Sequence, residues 1–217
     1  MEITITKGES LMYDFGYGEV AARRWINADG RSGGIVADSA MVADSAIIGD
    51  GASIGPGASI GEGAVIGDGA IIGGEATISY RASIGASAII GADARIGAYA
   101  HIGAYARIGA YAAIGYRASI GPEAIIGDDA DIEAADWYTS GGPCGSRGAV
   151  WTAVHSREHG LRWWVGCQRG ISTEELLAAV QETHSNNEHA QAYRRAVRDV
   201  TTHPTYLRRI AQEEISE

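Results

Sequence analysis

The sequence predicts a parallel β-helix, a triangular prism of about six coils, followed by a small α+β C-terminal module. Every sixth residue from Val36 to Ile132 is Val or Ile, seventeen positions without a miss. From Ala40 to Ala130, every residue two places before the next aliphatic is Ala, sixteen positions of sixteen. This period stops after Ile132, where strand-like segments and helix signals replace it. These observations predict three parts: an N-terminal cap at residues 1–34, the prism at 35–134 and the α+β module at 135–217.

Each six-residue unit, A-x-I-G-x-x, encodes one short strand and one turn. Because side chains alternate along a strand with period two, the Ala and the aliphatic residue point to the same side, into the prism. The Gly that usually follows the aliphatic permits the bend at a corner. Three units make a coil of 18 residues, and parallel coils stack about 4.8 Å apart. Residues 18 apart in sequence therefore lie above one another.

This repeat resembles that of the hexapeptide-repeat, left-handed parallel β-helix family, and the left hand is implied by the resemblance. Members are typically trimers, and many are acyltransferases that use a His as general base. The entry step Gly33-Gly34-Ile35-Val36 resembles repeat proteins common in bacteriophage and prophage genomes. The C-terminal module resembles a small domain that such proteins often carry, although that domain usually reads GCF where this chain has GCQ. Its motif residues are Gly142, Pro143, Gly145, Ser146, Arg147, Gly166, Cys167, Glu182, Thr183, His184, His189, Ala190 and Tyr193.

The segments outside the prism carry their own local signals. EITIT at residues 2–6 alternates like a strand, and the turn cluster NADGRSGG at 27–34 precedes the first coil, so we expect a cap over its open end. Residues 137–148 (WYTSGGPCGSRG) are predicted to be a loop. AVWTAVHS at 149–156 and LRWWVGCQ at 161–168 are predicted to be strands of one hairpin.

Helix signals follow the hairpin. Ser172 with Glu175, and Ser185 with Glu188, have the spacing of capping boxes, and Pro204 suits the first position of a third helix. These signals predict a helical end to the module.

Composition excludes several classes of protein. A net charge of −10 disfavours a duplex-DNA binder. No apolar run approaches the roughly 18 residues of a membrane span, and the first residues lack the basic and apolar regions of a signal peptide. We therefore expect a protein of a bacterial cytoplasm, with reduced cysteines. Cys144, His155, His159 and Cys167 match no compact ligand spacing, so we expect no metal.

Stacking in steps of 18 residues maps the outer surface. One face carries Ile35, Ile71, Ile89 and Ile125 at outward positions. Because an exposed apolar stripe usually marks an interface, this stripe meets either another copy of the chain or the C-terminal helices. We favour a homotrimer.

One corner collects tyrosines and arginines from three successive coils, in a prism whose outward charges from Asp38 to Glu75 are acidic. Arginines with tyrosines offer a stacking surface and a fork of donors for anions. On the neighbouring face, His101 lies between Ser83 and Ser119. The alternative is that these side chains only cover turns and pack against the C-terminal module. The predicted site for a small anionic molecule or nucleotide comprises Tyr80, Arg81, Tyr99, His101, Tyr116 and Arg117.

Two function classes follow. We expect a non-catalytic trimer, without cofactor, that sequesters an anionic nucleotide-like ligand or serves as a structural assembly unit. No hexad of this chain is interrupted, whereas the acyltransferases of the family that the repeat resembles usually insert a loop that reaches over the cleft. A carbonic anhydrase of this fold would need three histidines on the coils, and this chain has one there. The alternative is a hexapeptide-repeat acyltransferase that uses acyl-CoA as substrate and His101 as general base.

Overall fold

The computed structural model describes residues 10–133, 137–144, 149–156, 159–165 and 168–215. The predicted strand at residues 2–6 lies outside these ranges. A β-hairpin of β1 (Ser10–Asp14) and β2 (Glu19–Ile26) comes first, and β2 pairs antiparallel with β3 (Ser32–Ala37). The turn between β2 and β3 is closed by backbone hydrogen bonds from Asn27 to Arg31 and from Gly30 to Asn27, as the turn cluster predicts. The hairpin therefore extends one face of the prism beyond its first coil.

After β3, the prism consists of sixteen two-residue strands, one for each hexad. They are β4 (Met41–Val42), β5 (Ile47–Ile48), β6 (Ser53–Ile54), β7 (Ser59–Ile60), β8 (Val65–Ile66), β9 (Ile71–Ile72), β10 (Thr77–Ile78), β11 (Ser83–Ile84), β12 (Ile89–Ile90), β13 (Arg95–Ile96), β14 (His101–Ile102), β15 (Arg107–Ile108), β16 (Ala113–Ile114), β17 (Ser119–Ile120), β18 (Ile125–Ile126) and β19 (Asp131–Ile132).

These strands form three parallel sheets, one on each side of the triangle. Face A contains β3, β6, β9, β12, β15 and β18; face B contains β4, β7, β10, β13, β16 and β19; face C contains β5, β8, β11, β14 and β17. Every paired residue has its partner 18 positions away, as in Ser83 with His101. This register confirms the coil length and the triangular parallel β-helix.

The core is a column of alternating Ala and aliphatic side chains. Fifteen of the sixteen Ala positions and sixteen of the seventeen aliphatic positions are buried; the exceptions, Val42 and Ala124, are half-buried and lie near the two ends. Burying an Ile side chain contributes roughly 1.5–3 kcal/mol. The repeat therefore stabilises the prism along its whole length.

The corners are two-residue turns, and from Gly51 onward their second residue has a positive φ. Gly fills this position at Gly51, Gly57, Gly63 and Gly69, and other residue types fill it from Glu75 onward. The N–H of Gly57 and of Gly63 donates to a serine hydroxyl one coil earlier. From Gly69 onward, this N–H donates to the carbonyl of the first turn residue one coil earlier, as from Tyr99 to Tyr80 at 3.0 Å. Corner side chains are therefore stacked at the coil spacing as regularly as those on the faces.

The first coil leaves backbone groups of face C without a neighbouring strand, and Asn27 takes the place of that strand. Its buried side-chain amide donates to the carbonyl of Ile48 and accepts from the N–H of Ile48, both at 2.9 Å. The Asn27 amide therefore satisfies both backbone groups of Ile48, as a peptide group of a further coil would.

Replacement of Asn27 by Ala is expected to lower the free energy of unfolding by roughly 2–4 kcal/mol, because a buried donor and a buried acceptor lose their partners. Asp29→Ala, at an exposed position of the same turn, is the matched control and is expected to lose much less. Chemical denaturation monitored by circular dichroism measures both. Equal losses for the two variants would contradict the role assigned to Asn27.

An antiparallel sheet closes the other end of the prism. It consists of β20 (Trp137–Cys144), β21 (Ala149–Ser156), β22 (Gly160–Val165) and β23 (Gln168–Ser172). The Tyr138 hydroxyl accepts from the N–H of Gly121 at 2.9 Å, and the Thr152 hydroxyl accepts from the N–H of Gly127 at 2.8 Å. Trp164 donates through Nε1 to a carbonyl of the last coil and packs, with Val154, against the prism core. The three-part division of the chain stays a prediction.

Two predictions for this sheet were incomplete. The segment 137–148 was expected to be a loop, but its first eight residues form β20, because the aromatic residues at its start pair with β21. The glycines and Pro143 that suggested a loop lie where the register shifts, between Gly141 and Cys144. The strand β23 was not predicted; its positive-φ Gly170 weakens the strand pattern.

Three helices complete the chain: α1 (Thr173–His184), α2 (Glu188–Thr201) and α3 (Pro204–Ile215). The capping box of Ser172 and Glu175 is confirmed, and the Ser172 backbone N–H and hydroxyl hold the pKa of Glu175 below its usual value. The capping box at Ser185 is wrong. Asn187 caps α2 instead, accepting from the N–H of Ala190, while Ser185 closes α1.

The helical motif singled out in the sequence joins α1 to α2. The His184 ring stacks on that of Tyr193 at 5.8 Å between centroids and lies 5.5 Å from the ring of His189. The helices cover a second core, which includes Trp163, Leu176 and Val180. We assign this motif a packing role between the two helices.

Candidate functional site

His101 lies in the middle of face C. Its strand, β14, pairs on one side with β11 and on the other with β17, so Ser83 and Ser119 are its outward neighbours. The alternation that buries Ile102 directs His101 to solvent, and the side chain is exposed. An accessible imidazole with a hydroxyl one coil away on either side can exchange a proton with a bound molecule.

The corner between faces B and C, hereafter the Tyr–Arg corner, carries Tyr80, Arg81, Tyr99, Tyr116 and Arg117. The three tyrosine rings contact one another edge to face, with centroids 5.4 Å apart for Tyr80 and Tyr99 and 5.8 Å apart for Tyr99 and Tyr116. Tyr99 occupies the second turn position and the other two occupy the first. The ladder is therefore a zigzag that crosses three coils.

The arginines of the Tyr–Arg corner lie over these rings. The guanidinium carbon of Arg81 is 5.0 Å from the ring centroid of Tyr80, and that of Arg117 is 4.9 Å from Tyr116 and 5.7 Å from Tyr99. Within the described residues, neither arginine takes part in an ion pair. Because no described carboxylate neutralises either guanidinium, the N–H groups of both can donate to an anion.

The structure brings together five of the six predicted site residues at this corner and places the sixth, His101, on the adjoining face, two residues after Tyr99. The three tyrosines are 39%, 41% and 53% exposed, and both arginines are exposed. These side chains are therefore not buried under the C-terminal module, as the alternative of a packing role would require. Binding of a ligand at these residues stays a prediction.

The coil that carries His101 has a pattern that the prediction of the site did not use. Residues 95–112 repeat [RH]-I-G-A-Y-A three times, once per side, so each face bears one Arg or His and each corner one tyrosine. Tyr105 and Tyr111 lie on the two corners away from the Tyr–Arg corner, each 63% exposed. The strict repetition of this hexad in the sequence could have predicted Tyr105 and Tyr111 at these two corners.

The apolar stripe on face A is formed as predicted. Strand pairing aligns Ile35, Ile71, Ile89 and Ile125 with Ser53 and Arg107 along the face. Ile71 is 46% and Ile125 is 37% exposed. Since the helices leave these two side chains accessible, the stripe is open to a second copy of the chain.

The other chemical candidates do not form a site in the part of the chain that the structure describes. No three His, Cys, Asp or Glu side chains gather there in a group able to hold a metal ion. His155 is buried and packs against Tyr206, with ring centroids 5.3 Å apart. Ser146, Arg147 and Cys167 lie outside the described residues. None of the described helices is long and apolar enough to cross a membrane.

Comparisons with known proteins identify the repeat. Residues 45–79 match the family model "Bacterial transferase hexapeptide (six repeats)". A search of curated proteins found no significant match.

Three solved structures illustrate the likeness. The acetyltransferase domain of PglB from Neisseria gonorrhoeae, in complex with acetyl coenzyme A, is 27% identical over 48% of this chain and 53% of its own, with a TM-score of 0.43. A perosamine N-acetyltransferase mutant from Caulobacter crescentus, with CoA and GDP-perosamine, is 19% identical over 58% and 57%, with a TM-score of 0.41. A hexapeptide transferase family protein from Anaplasma phagocytophilum is 20% identical over 76% and 90%, with a TM-score of 0.35. This chain spans little more than half of the length of the first two proteins.

These findings correct the expected function. Because residues 45–79 match a model of bacterial transferases, the expectation of a non-catalytic binding or structural protein is wrong, and its acyltransferase alternative is the better supported of the two. The phage-type resemblance stays a prediction. Residues 45–79 carry the hexapeptide repeat of this family model, and residues 35–132 form a parallel β-helix of the same period, consistent with the left-handed form.

Proposed function

We propose that the protein is an acyltransferase that moves an acyl group from CoA to an amine or hydroxyl acceptor, with His101 as general base. The observation that carries the proposal is an exposed histidine on the outer face of a prism whose repeats match a bacterial transferase model. The named ligands of two similar structures, acetyl coenzyme A and CoA, support the choice of donor.

The chemistry requires a base beside the reacting carbonyl. As the acceptor attacks the thioester carbon, its nitrogen or oxygen loses a proton, and the neutral imidazole of His101 takes it. The carbon–sulfur bond then breaks, and CoA leaves as a thiolate that the imidazolium can protonate. Ser83 and Ser119, about 4.8 Å away along the face by coil spacing, can donate hydrogen bonds to the acyl oxygen or position the acceptor.

A single chain presents this chemistry on an open face. No hexad is interrupted by a loop that could reach over His101. We therefore propose a homotrimer in which a neighbouring copy supplies the other wall of the cleft, and the apolar stripe on face A supplies part of the contact. The cytoplasm of a bacterium stays the predicted location.

An arginine in the stripe should dissociate the assembly. Ile71→Arg places a charge at the centre of the apolar contact, so we expect monomers at micromolar concentration, measured by light scattering. Gln191→Arg, at an exposed position of α2, adds the same charge and should leave the mass unchanged. A monomeric wild-type protein would reject the trimer, and an Ile71→Arg variant of unchanged mass would reject the stripe as its interface.

Binding of the donor is the first experiment on function. Isothermal titration of the purified chain with acetyl-CoA should give saturable binding, followed by slow release of free CoA thiol in the presence of amines. No binding at millimolar acetyl-CoA would count against the acyltransferase.

A further inference from the structure

We infer that the Tyr–Arg corner binds the acceptor rather than CoA, and that this acceptor is a compact molecule with a phosphate or carboxylate close to its reacting amine or hydroxyl. This inference rests on the proposed function. It assigns the second substrate to a surface defined by Arg81, Tyr99 and Arg117 beside His101.

The two arginines are built to receive an anion. Both are exposed and lie outside ion pairs among the described residues, in a chain with a net charge of −10. Each guanidinium carbon lies 4.9–5.0 Å from the centroid of a tyrosine ring, and each guanidinium carries five N–H donors. Two forks, one coil on either side of Tyr99, can therefore converge on one phosphate or carboxylate.

The surrounding charges confine an anion to this corner. Glu62 occupies the first turn position one coil before Tyr80 and is exposed, and Asp44 occupies the same position one coil earlier. The same corner thus carries a carboxylate in each of its first two coils and an arginine in the third and the fifth. An anion is repelled from the first part and attracted to the second.

The distance to His101 distinguishes the two substrates. Tyr99 precedes His101 by two residues, and the arginines lie one coil above and below, so strand and coil spacings put each arginine Cα roughly 8 Å from that of His101. In CoA, the whole pantetheine arm separates the phosphates from the thioester. If the arginines bound the phosphates of CoA, the thioester at the end of the extended pantetheine arm would lie well beyond His101. An anion at this corner fits the molecule whose nucleophile is deprotonated by His101.

The tyrosine ladder supplies the wall of this subsite. Its rings are partly exposed and already in contact with one another, so they need little rearrangement to pack against the carbon skeleton of a small acceptor. The acceptor then lies between two arginines on one side and the imidazole on the other.

Titration of the 217-residue chain with inorganic phosphate, in the absence and presence of saturating acetyl-CoA, tests the assignment. Phosphate should bind equally well in both cases. The double variant Arg81→Gln/Arg117→Gln should weaken phosphate binding by roughly tenfold or more and leave the Kd of acetyl-CoA unchanged. The control is Arg195→Gln/Arg208→Gln, which removes two exposed arginines of the C-terminal helices and should change neither affinity.

Three results would overturn the inference. The first is that phosphate does not bind at millimolar concentration, or binds the double variant as tightly as the wild type; either outcome contradicts an anion site at this corner. Competition between phosphate and acetyl-CoA, with weaker acetyl-CoA binding in the double variant, makes the corner part of the donor site. If phosphate binds at the corner but acetyl-CoA does not bind the wild type at all, the proposed function fails, and the acceptor assignment fails with it.

Discussion

Ile84→Asp is expected to unfold the middle of the prism. Ile84 is 1% exposed and is paired in register with Ile66 and Ile102, so the new carboxylate has only aliphatic neighbours. An unpaired charge in such a place costs several kcal/mol, and the lost Ile packing adds to it. This is comparable with the entire stability of a typical domain, about 5–15 kcal/mol. We expect a thermal midpoint lowered by more than roughly 10 °C, or insoluble protein.

The control for this variant is Thr77→Asp, which adds the same carboxylate at an exposed, outward position of the preceding strand on face B. It should change the midpoint by only a few degrees, as surface substitutions usually do. Differential scanning calorimetry of both variants gives the comparison. If Ile84→Asp kept the wild-type midpoint, the inward direction of the aliphatic positions would be wrong.

His101→Ala has the largest expected effect on activity. Removal of a general base typically lowers the rate by roughly 10²–10⁴, while the Kd for acetyl-CoA should change little because the imidazole acts on the acceptor proton. Steady-state release of CoA thiol, measured with the same acceptor for both proteins, gives the rate. His101 is exposed, so the variant should keep its thermal midpoint.

Ser119→Ala removes the neighbouring hydroxyl without touching the imidazole and serves as the control. It is expected to lower the rate by no more than about tenfold, as for one hydrogen bond. A His101→Ala rate within a factor of a few of the wild type would remove His101 from the reaction, even if the protein still transferred acyl groups.

The sequence could predict the prism because a single periodic constraint decides it. At every hexad the same two positions must be small and aliphatic to fill the triangle, so the pattern specifies strand, turn and stacking together. The C-terminal sheet lacks such a constraint. Pro143 and its neighbouring glycines are consistent with a loop or with a register shift in a strand, and only pairing with β21 decides between them. Similarly, Ser185 and Asn187 both suit a helix N-terminus, and Asn187 is used.

The predicted site shows a similar division. Steps of 18 residues correctly placed His101 between Ser83 and Ser119 and brought the Tyr–Arg corner together. The edge-to-face contacts of Tyr99 could not be predicted, because they depend on side-chain directions at alternate turn positions. The function was misjudged for a physical reason: an unbroken prism indicates no cleft within one chain, but a cleft can also form between two copies.

Transfer of an isotope-labelled acetyl group tests the central claim most directly. Wild-type protein is incubated with labelled acetyl-CoA and either O-phosphoethanolamine, a compact amine with a phosphate, or ethanolamine, which lacks the anion. Mass spectrometry then measures the acetylated products. We expect labelled product from the wild type, more from the phosphorylated amine, and at least a hundredfold less from His101→Ala. An absence of labelled product from either amine, together with no binding of acetyl-CoA, would contradict an acyltransferase.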